Sequence, residues 1–404
     1  HYRGGDLFFI IMDEGNFRQG TDKRKLKEAI DIYVESTNRR KLRFVKGDVD
    51  KSCSVIVSST DTLSSFTEER IKESIDDPTV MVVRSTVWQT KPTNYSGKFF
   101  WVYKGSEKID PFLNSDKRAM TAYFHYLKKE ICPIDQLPIS FRNDWVQIPV
   151  EFEKEFRTSI IRALADIAGI ATGSSGRLIK NEETFLRCFA KDGDMKHPFT
   201  KERLCISYQT HDRVESFLFH DFKFDTKKKY YIHIDQSTTH DSTGVAISHK
   251  EVDGEGYVVV VDLMIKIDPP KKPDQISIRK VREFIFHLKA ERGLRIGKMT
   301  YDQYASQEAI QEANNHGIET ERLSVDKDSA QYNLLVDLML TNKIKSYYYA
   351  PLKDEILFLE EDRAKRKVDH VKGYAKDISD AVAGSVWNTW LHGKVFSWSN
   401  YLGE

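Results

Sequence analysis

The stretch YYIHIDQSTTHDSTGVAISHK, residues 230–250, begins as a buried strand and then sets Asp235 where an apolar side chain is the default. A second acid, Asp241, follows six residues later, and the chain then turns apolar again. The runs YYIHIDQ, GVAISHK and GYVVVVDLMIKI come in quick succession, joined by short turns bearing Asp and Gly. That pattern predicts an antiparallel meander. Beyond it the periodicity predicts a helix (DQISIRKVREFIFHLKAER), a strand (KMTYDQ), a helix (SQEAIQEANNHG), a strand (IETERLSV) and a helix (AQYNLLVDLMLTNK). Gly317 stands where a C-cap glycine would end the middle helix. A further helix is expected over about residues 352–361, then a polar segment, DRAKRKVDHVKGYAK, and a last helix, DISDAVAGSVWNTW.

Three of these elements end or begin in acids. Asp235 closes the first strand of the meander, Asp302 ends KMTYDQ, and Asp377 and Asp380 open the last helix one turn apart, on one face. The first strand and the strand reached by the first crossover can lie side by side, and a last helix can bring its first turn across their ends. Carboxylates gathered this way repel one another and raise their own pKa values. A divalent cation removes that penalty: Mg²⁺ takes oxygen ligands, and a pair of ions about 4 Å apart can activate water and stabilise the leaving oxygen of a phosphodiester. Each acid also has a plainer reading. An Asp at a strand end is a common turn residue, and Asp377 would cap ISDAVAGSV with no metal at all. Asp241 either joins a second ion or shapes the turn before Gly244.

The N-terminal half alternates apolar runs with helical patterns: DLFFIIMDEGNF (6–17), KLKEAIDIYVES (25–36), CSVIVSSTD (53–61), TVMVVRST (79–86) and KFFWVYKG (98–105). Runs apolar on both faces and separated by helices predict a parallel sheet under helices. From about Asp110 the pattern is mostly helical, clearest in VEFEKEFRTSIIRALADIAGIAT (150–172), and FHDFKFDTKKKY (219–230) reads as a linker. With 404 residues, 40% hydrophobic and 30% charged, the chain can bury two or three cores. A net charge of +1 says nothing global about partners. Cys53, Cys132, Cys188 and Cys205 form no CxxC pair, which favours a reducing compartment. No apolar run approaches the roughly 20 residues of a membrane span, and no secretory segment opens the chain.

IHIDQSTTHDSTGVAI, YDQYASQEAIQEANNHGI and KVDHVKGYAKDISDAVAGSV resemble the C-terminal nuclease domain of terminase large subunits, the DNA-packaging motors of tailed bacteriophages. The resemblance implies an RNase H-like fold with a mixed sheet and a metal-dependent endonuclease that cuts concatemeric viral DNA. It implies Asp235 and Asp302 as the first two acids. Family members differ over the position of the third, so Asp377 and Asp380 are both kept, with Asp241 as a further candidate ligand. LFFIIMDEGNF resembles the Walker B strand of the family's P-loop (ASCE-type) ATPase: Asp13 would hold the Mg²⁺ of ATP through water and Glu14 would polarise the attacking water. VIVSSTD resembles the coupling motif, in which Ser58, Ser59 and Thr60 would sense the γ-phosphate. WVQIPVEF…ALADIAGIAT resembles the segment before the nuclease, so the likeness spans most of the chain.

The expected architecture is α/β: residues 1–220 form a partial packaging-ATPase domain with a linker subdomain, and residues 221–404 the nuclease. G-x-x-x-x-G-K-[ST] is absent, and TGSSGRLIK (172–180) has the wrong spacing and place. The first residue is His and a strand follows at once, so the chain reads as cut from something longer, and inefficient in ATP turnover alone. Lys365, Arg366, Lys367 and Lys372 precede the catalytic helix as candidate phosphate contacts, with His370 among them; NRRKLR (38–43) and TKKKY (226–230) are other basic surfaces. No sequence-reading motif accompanies them, which implies contact with phosphates and not bases.

The cofactors implied are Mg²⁺ or Mn²⁺, two ions in the nuclease site, and ATP in the complete protein. The partners implied are double-stranded viral DNA, the portal protein and the terminase small subunit, with the motor as a homo-oligomeric ring at the procapsid portal in the host cytoplasm and no membrane. Two other readings stand beside this one: a resolvase- or transposase-like RNase H-like phosphodiesterase, which would lack the Walker B strand, and a non-enzymatic assembly component.

Overall fold

A computed structural model describes residues 8–13, 22–46, 49–50, 52–58, 66–74, 76–106, 108–171, 177–189, 195–239, 241–254, 256–302, 307–325, 327, 329–362, 367–371 and 374–393. The chain forms two compact units, residues 1–176 with 363–365, and 177–362 with 366–404.

In the first unit β1 (Phe9–Asp13) and β2 (Cys53–Val57) pair in parallel, with α1 (Asp22–Phe44) between them in sequence. This is the expected crossover. Met12, Ala29 and Phe66 form its small core, the last from α2 (Phe66–Glu73). The remaining expectations for this half need correction. Residues 79–86 form no strand: Val80 N–H bonds to Asp77 O in a turn (3.1 Å), and Met81 and Val83 stand exposed. A β-prone run becomes a strand only where a neighbour takes its backbone hydrogen bonds. β3 (Phe99–Tyr103) joins no parallel sheet. It lies between β4 (Phe112–Leu113) and β5 (Trp145–Pro149), antiparallel to both. There Phe112 and Tyr123 meet Trp145 edge to face, with Tyr103 tilted against it; Tyr123 comes from α3 (Lys117–Tyr126), which Asp116 caps at Ala119 N–H. The helix expected over 150–172 is broken into a 3₁₀ turn, a four-residue helix at Glu153–Phe156, and α4 (Ile160–Asp166). Ser159 breaks it by taking extended dihedrals and capping Arg162 N–H.

The second unit starts at residue 177, not near 220. The segment read as a linker contributes to its core: Phe224 and Tyr230 are buried with the central strands, and Phe222 packs against them. After α5 (Glu182–Leu186), β6 (Arg203–Leu204) adds to the main sheet. The meander is as predicted: β7 (Tyr230–Asp235), β8 (Thr243–Asp253) and β9 (Gly256–Ile267) are antiparallel neighbours. α6 (Ile278–Glu291) crosses over to β10 (Ile296–Tyr301), parallel to β7, and α7 (Gln307–Asn315) leads to β11 (Thr320–Arg322), parallel to β10. Gly317 follows α7 with φ +67, as its C-cap reading requires. After α8 (Ala330–Leu340), the short β12 (Ile344–Ser346) was not foreseen; it pairs in parallel with β9. The sheet runs β11-β10-β7-β8-β9-β12, with β6 also on β9. Three antiparallel strands with two parallel ones added beside the first is the RNase H-like order.

The helix expected at 352–361 stops early, as α9 (Ala350–Ile356); its expected end is instead β13 (Leu359–Asp362), antiparallel to β14 (Lys367–His370) from the segment read as polar. α10 (Asp377–His392) then crosses the sheet. Alternation along β7 sends Tyr230, Ile232 and Ile234 into the core with α6 and α7, and the remaining positions, Tyr231, His233 and Asp235, toward α10. Small residues let α10 approach closely. Gly384 lies against the His233 ring, Ser248 shares hydrogen bonds with Ser385 (3.2 Å) and Thr389 (2.7 Å), and Asn388 Nδ2 donates to Thr300 Oγ1 (2.7 Å). Among the described residues no helix is long and apolar enough to cross a membrane.

Candidate active site

Asp235 and Asp302 stand at adjacent strand ends. Tyr301 is in register with Ile234, and Asp302 N–H donates to Ile234 O (3.1 Å), so the two acids leave neighbouring parallel strands at the same level. Strands so paired lie about 4.8 Å apart. α10 brings the other acids. Asp377 O occupies the space where a Cβ on Gly244 would lie (2.1 Å), and Gly244 is the ladder partner of Asp235. Only glycine lets the first turn of α10 rest on the sheet beside Asp235.

The electrostatics register the convergence. Asp235 keeps some solvent contact, yet burial holds its carboxyl well above the usual range. Asp380, Asp377 and Asp302 push it further up, and Lys376 opposes them. Asp377 is raised by burial, with Lys266 opposing and Asp241 adding to the rise. Asp241, exposed in the turn before β8, is near enough for its charge to act on Asp377; next to it Ser242 Oγ donates to Asp268 (2.9 Å), which Arg203 grips with two bonds of 2.7 Å. All five sequence-predicted acids of this site therefore gather at one edge. His233, beneath them on β7, is fully buried and serves the core: it shares a hydrogen bond with Thr300 Oγ1 (2.7 Å), and burial pushes its pKa down to about 3.

Three partners of these acids were not foreseen. Lys376 Nζ lies 2.9 Å from Asp380 Oδ2, and Tyr332 Oη donates to Asp380 Oδ1 (2.6 Å). Lys266 Nζ lies 3.0 Å from Asp377 Oδ2 and also pairs with Glu355. Lys266 carried a signal, a charge inside the apolar run YVVVVDLMIKI; Glu355 and Tyr332 carried none. Tyr332→Phe should cost about 2 kcal/mol, the range for a buried hydrogen bond to a charged group. Urea unfolding checks this, and the loss should shrink in an Asp380→Ala background.

An all-oxygen donor set, desolvated and mutually repelling, fits a hard divalent cation. Among the described residues no three His, Cys, Asp or Glu side chains are arranged to hold an ion as they stand. Lysines are paired with both acids of α10.

At the other predicted site, Asp13 ends β1 in register with Val57, and Ser58 follows β2 directly, so both lie at the carboxyl edge of a parallel pair. Glu14, Ser59 and Thr60 lie outside the described residues, as do Lys365, Arg366 and Lys372. Lys367 is exposed on β14, and His370 turns to Val371 O (3.1 Å) and Asp369, not to the acids. The other basic surfaces are partly spent internally: Arg40 bonds to Ser52 O (2.6 Å) and Lys228 pairs with Glu251.

No protein-family model and no curated protein matches the sequence. Solved structures do. The large terminase of the thermophilic bacteriophage D6E is 12% identical, with 97% of this chain and 70% of that one covered at a TM-score of 0.42. For the HK97 bacteriophage large terminase the values are 13%, 96%, 71% and 0.35. The magnesium-bound large terminase nuclease of the thermophilic phage G20c is 14% identical over 47% of this chain and 96% of its own, at a TM-score of 0.32. At these identities and scores the roles of the residues rest on the geometry of this chain alone.

Proposed function

We propose that the second unit is a metal-dependent endonuclease of the phage large-terminase kind, cutting concatemeric double-stranded DNA, and that the first belongs to the ATP-driven motor coupled to it. The observation that carries this reading is the meeting of Asp235, Asp302, Asp377 and Asp380 from two parallel strands and a crossing helix. A structural set of turn and cap residues has no reason to share one edge at the cost of mutual repulsion.

Asp235 and Asp302 project from sheet positions that cannot shift without breaking the ladder, and would hold Mg²⁺ or Mn²⁺ with Asp377 and Asp380; Asp241 would complete the outer side. Two bound ions supply an acidified water and positive charge for the phosphate oxygens. The chain's own part is rigidity and counter-charge. The strands hold the first two acids in line, Tyr332 and Lys376 orient Asp380, and Lys367 on the neighbouring hairpin offers phosphate contact with no base reading. In the first unit, Asp13 and Ser58, with Glu14, Ser59 and Thr60, would serve ATP and its Mg²⁺ at the carboxyl edge of the parallel pair. The partners that follow are the portal protein, the terminase small subunit and further copies in a ring, placing the protein at the procapsid portal in the host cytoplasm.

The test is supercoiled plasmid and linear duplex incubated with the protein and Mg²⁺ or Mn²⁺. Cleavage that chelator stops is expected. Intact DNA together with no calorimetric uptake of either ion would sink the proposal. Four-way junctions cut far faster than duplex would move the reading to a resolvase.

A further inference from the structure

Asp235, Gly244 and Lys266 form one row across three strands: Gly244 is the ladder partner of Asp235 on one side and of Lys266 on the other. The first turn of α10 sits on the bare middle position, so Asp377 lies between an acid and a lysine. Neighbouring strands are about 4.8 Å apart, which puts the two ends of the row about 10 Å apart. The carboxylate of Asp377 is turned to the lysine end.

Lys266 is 5% exposed and rigidly held. Its backbone N–H donates to Tyr349 Oη (3.0 Å), and its ammonium pairs with Glu355 as well as Asp377. Glu355, 3% exposed, accepts from Ser379 N–H (2.8 Å) in the same first turn of α10. One buried cation is thus shared by two buried carboxylates, one of them belonging to the acidic site.

We infer that Lys266 is a positioning residue that holds Asp377 away from Asp235 in the metal-free protein, and that Glu355 takes over the lysine when a divalent ion draws Asp377 off it. This rests on the reading of the acids as a metal site. It explains why acids that repel one another strongly still do not form a ready ion cage: Lys266 already partners Asp377, and any ion must compete with it. Glu355 lowers the barrier to that exchange, because it keeps the ammonium paired after Asp377 leaves.

Two substitutions should act in opposite directions on the binding of Mn²⁺ to the full chain, measured by calorimetry without DNA. Lys266→Met removes the competitor and leaves Asp377 and Glu355 uncompensated, so binding should tighten about tenfold, the scale on which partners of metal ligands act. Glu355→Gln keeps an acceptor for Ser379 but leaves the lysine no charged partner except Asp377, so binding should weaken several-fold. Lys266→Arg should stay near wild type. A lysine that merely supports the fold predicts weaker or unchanged binding in Lys266→Met and no opposite change in Glu355→Gln; either result overturns the inference. Should Lys266→Met fail to fold, Glu355→Gln decides alone. Asp235→Asn separates the two levels of the proposal: if it binds Mn²⁺ as wild type does, or wild type takes up none, the metal-site reading fails and this inference with it.

Discussion

Asp235→Asn is expected to lower DNA cleavage by about a thousandfold or more, the scale on which single catalytic groups act, while making the metal-free protein more stable at neutral pH. The two effects share one cause. In the folded chain the Asp235 carboxyl is held well above its ordinary value of 3.8 by burial, then by Asp380, Asp377 and Asp302. The folded state therefore holds that proton more tightly than the unfolded chain does. The resulting stabilisation is fully present below the unfolded value, near pH 4, and is lost as pH rises through the raised folded value. Glu355 and Asp377 are shifted the same way, each mainly by burial, so they add to the slope.

Urea unfolding in chelator should show wild-type stability falling from about pH 4 toward neutrality, and a flatter profile in Asp235→Asn. The amide keeps the shape and removes the charge, so repulsion is relieved while an anionic ligand is lost. Lower stability of the variant at neutral pH, or retained cleavage, would contradict the arrangement described above.

Gly384→Ala should destabilise the second unit by about 3 kcal/mol, at the upper end of ordinary overpacking. A Cβ there would lie 2.3 Å from Cγ of His233 and 2.4 Å from Cδ2. The ring cannot give way, because it is fully buried and bonded to Thr300, which Asn388 of α10 also holds. The helix must therefore lift, and its first turn carries Asp377 and Asp380. Cleavage should fall along with stability although residue 384 lies almost two turns beyond Asp377. Gly256→Ala is the control: among the described residues its added Cβ meets nothing nearer than Asp253 O at 3.8 Å, and its cost should stay within about 0.5 kcal/mol. Equal losses in the two variants would mean that close docking of α10 does not set the site.

Much of the second unit was legible because its signals are local. A buried-type run identified β7, short turns identified the meander, Gly317 ended α7, and an acid in place of an apolar residue marked Asp235. The errors came where the decisive partner lay far along the chain. TVMVVRST has the composition of a strand, but among the described residues no strand pairs with it. FHDFKFDTKKKY has the charge of a linker, but Phe224 is drawn into the core. DRAKRKVDHVKGYAK is mostly polar, yet Lys367–His370 pairs with β13 and buries Val368, a single apolar residue too short a signal to mark a strand.

The sequence by itself determined the meander, most helices of the second unit and which acids stand at the ends of those elements, since apolar runs, turn chemistry and capping depend on neighbours a few residues apart. Only the tertiary structure decided what those acids face: Gly244 clearing a seat for α10, Lys266 and Glu355 beside Asp377, Tyr332 on Asp380. Those meetings are fixed by cross-strand register and helix docking between residues dozens to more than a hundred positions apart, and no local pattern encodes them.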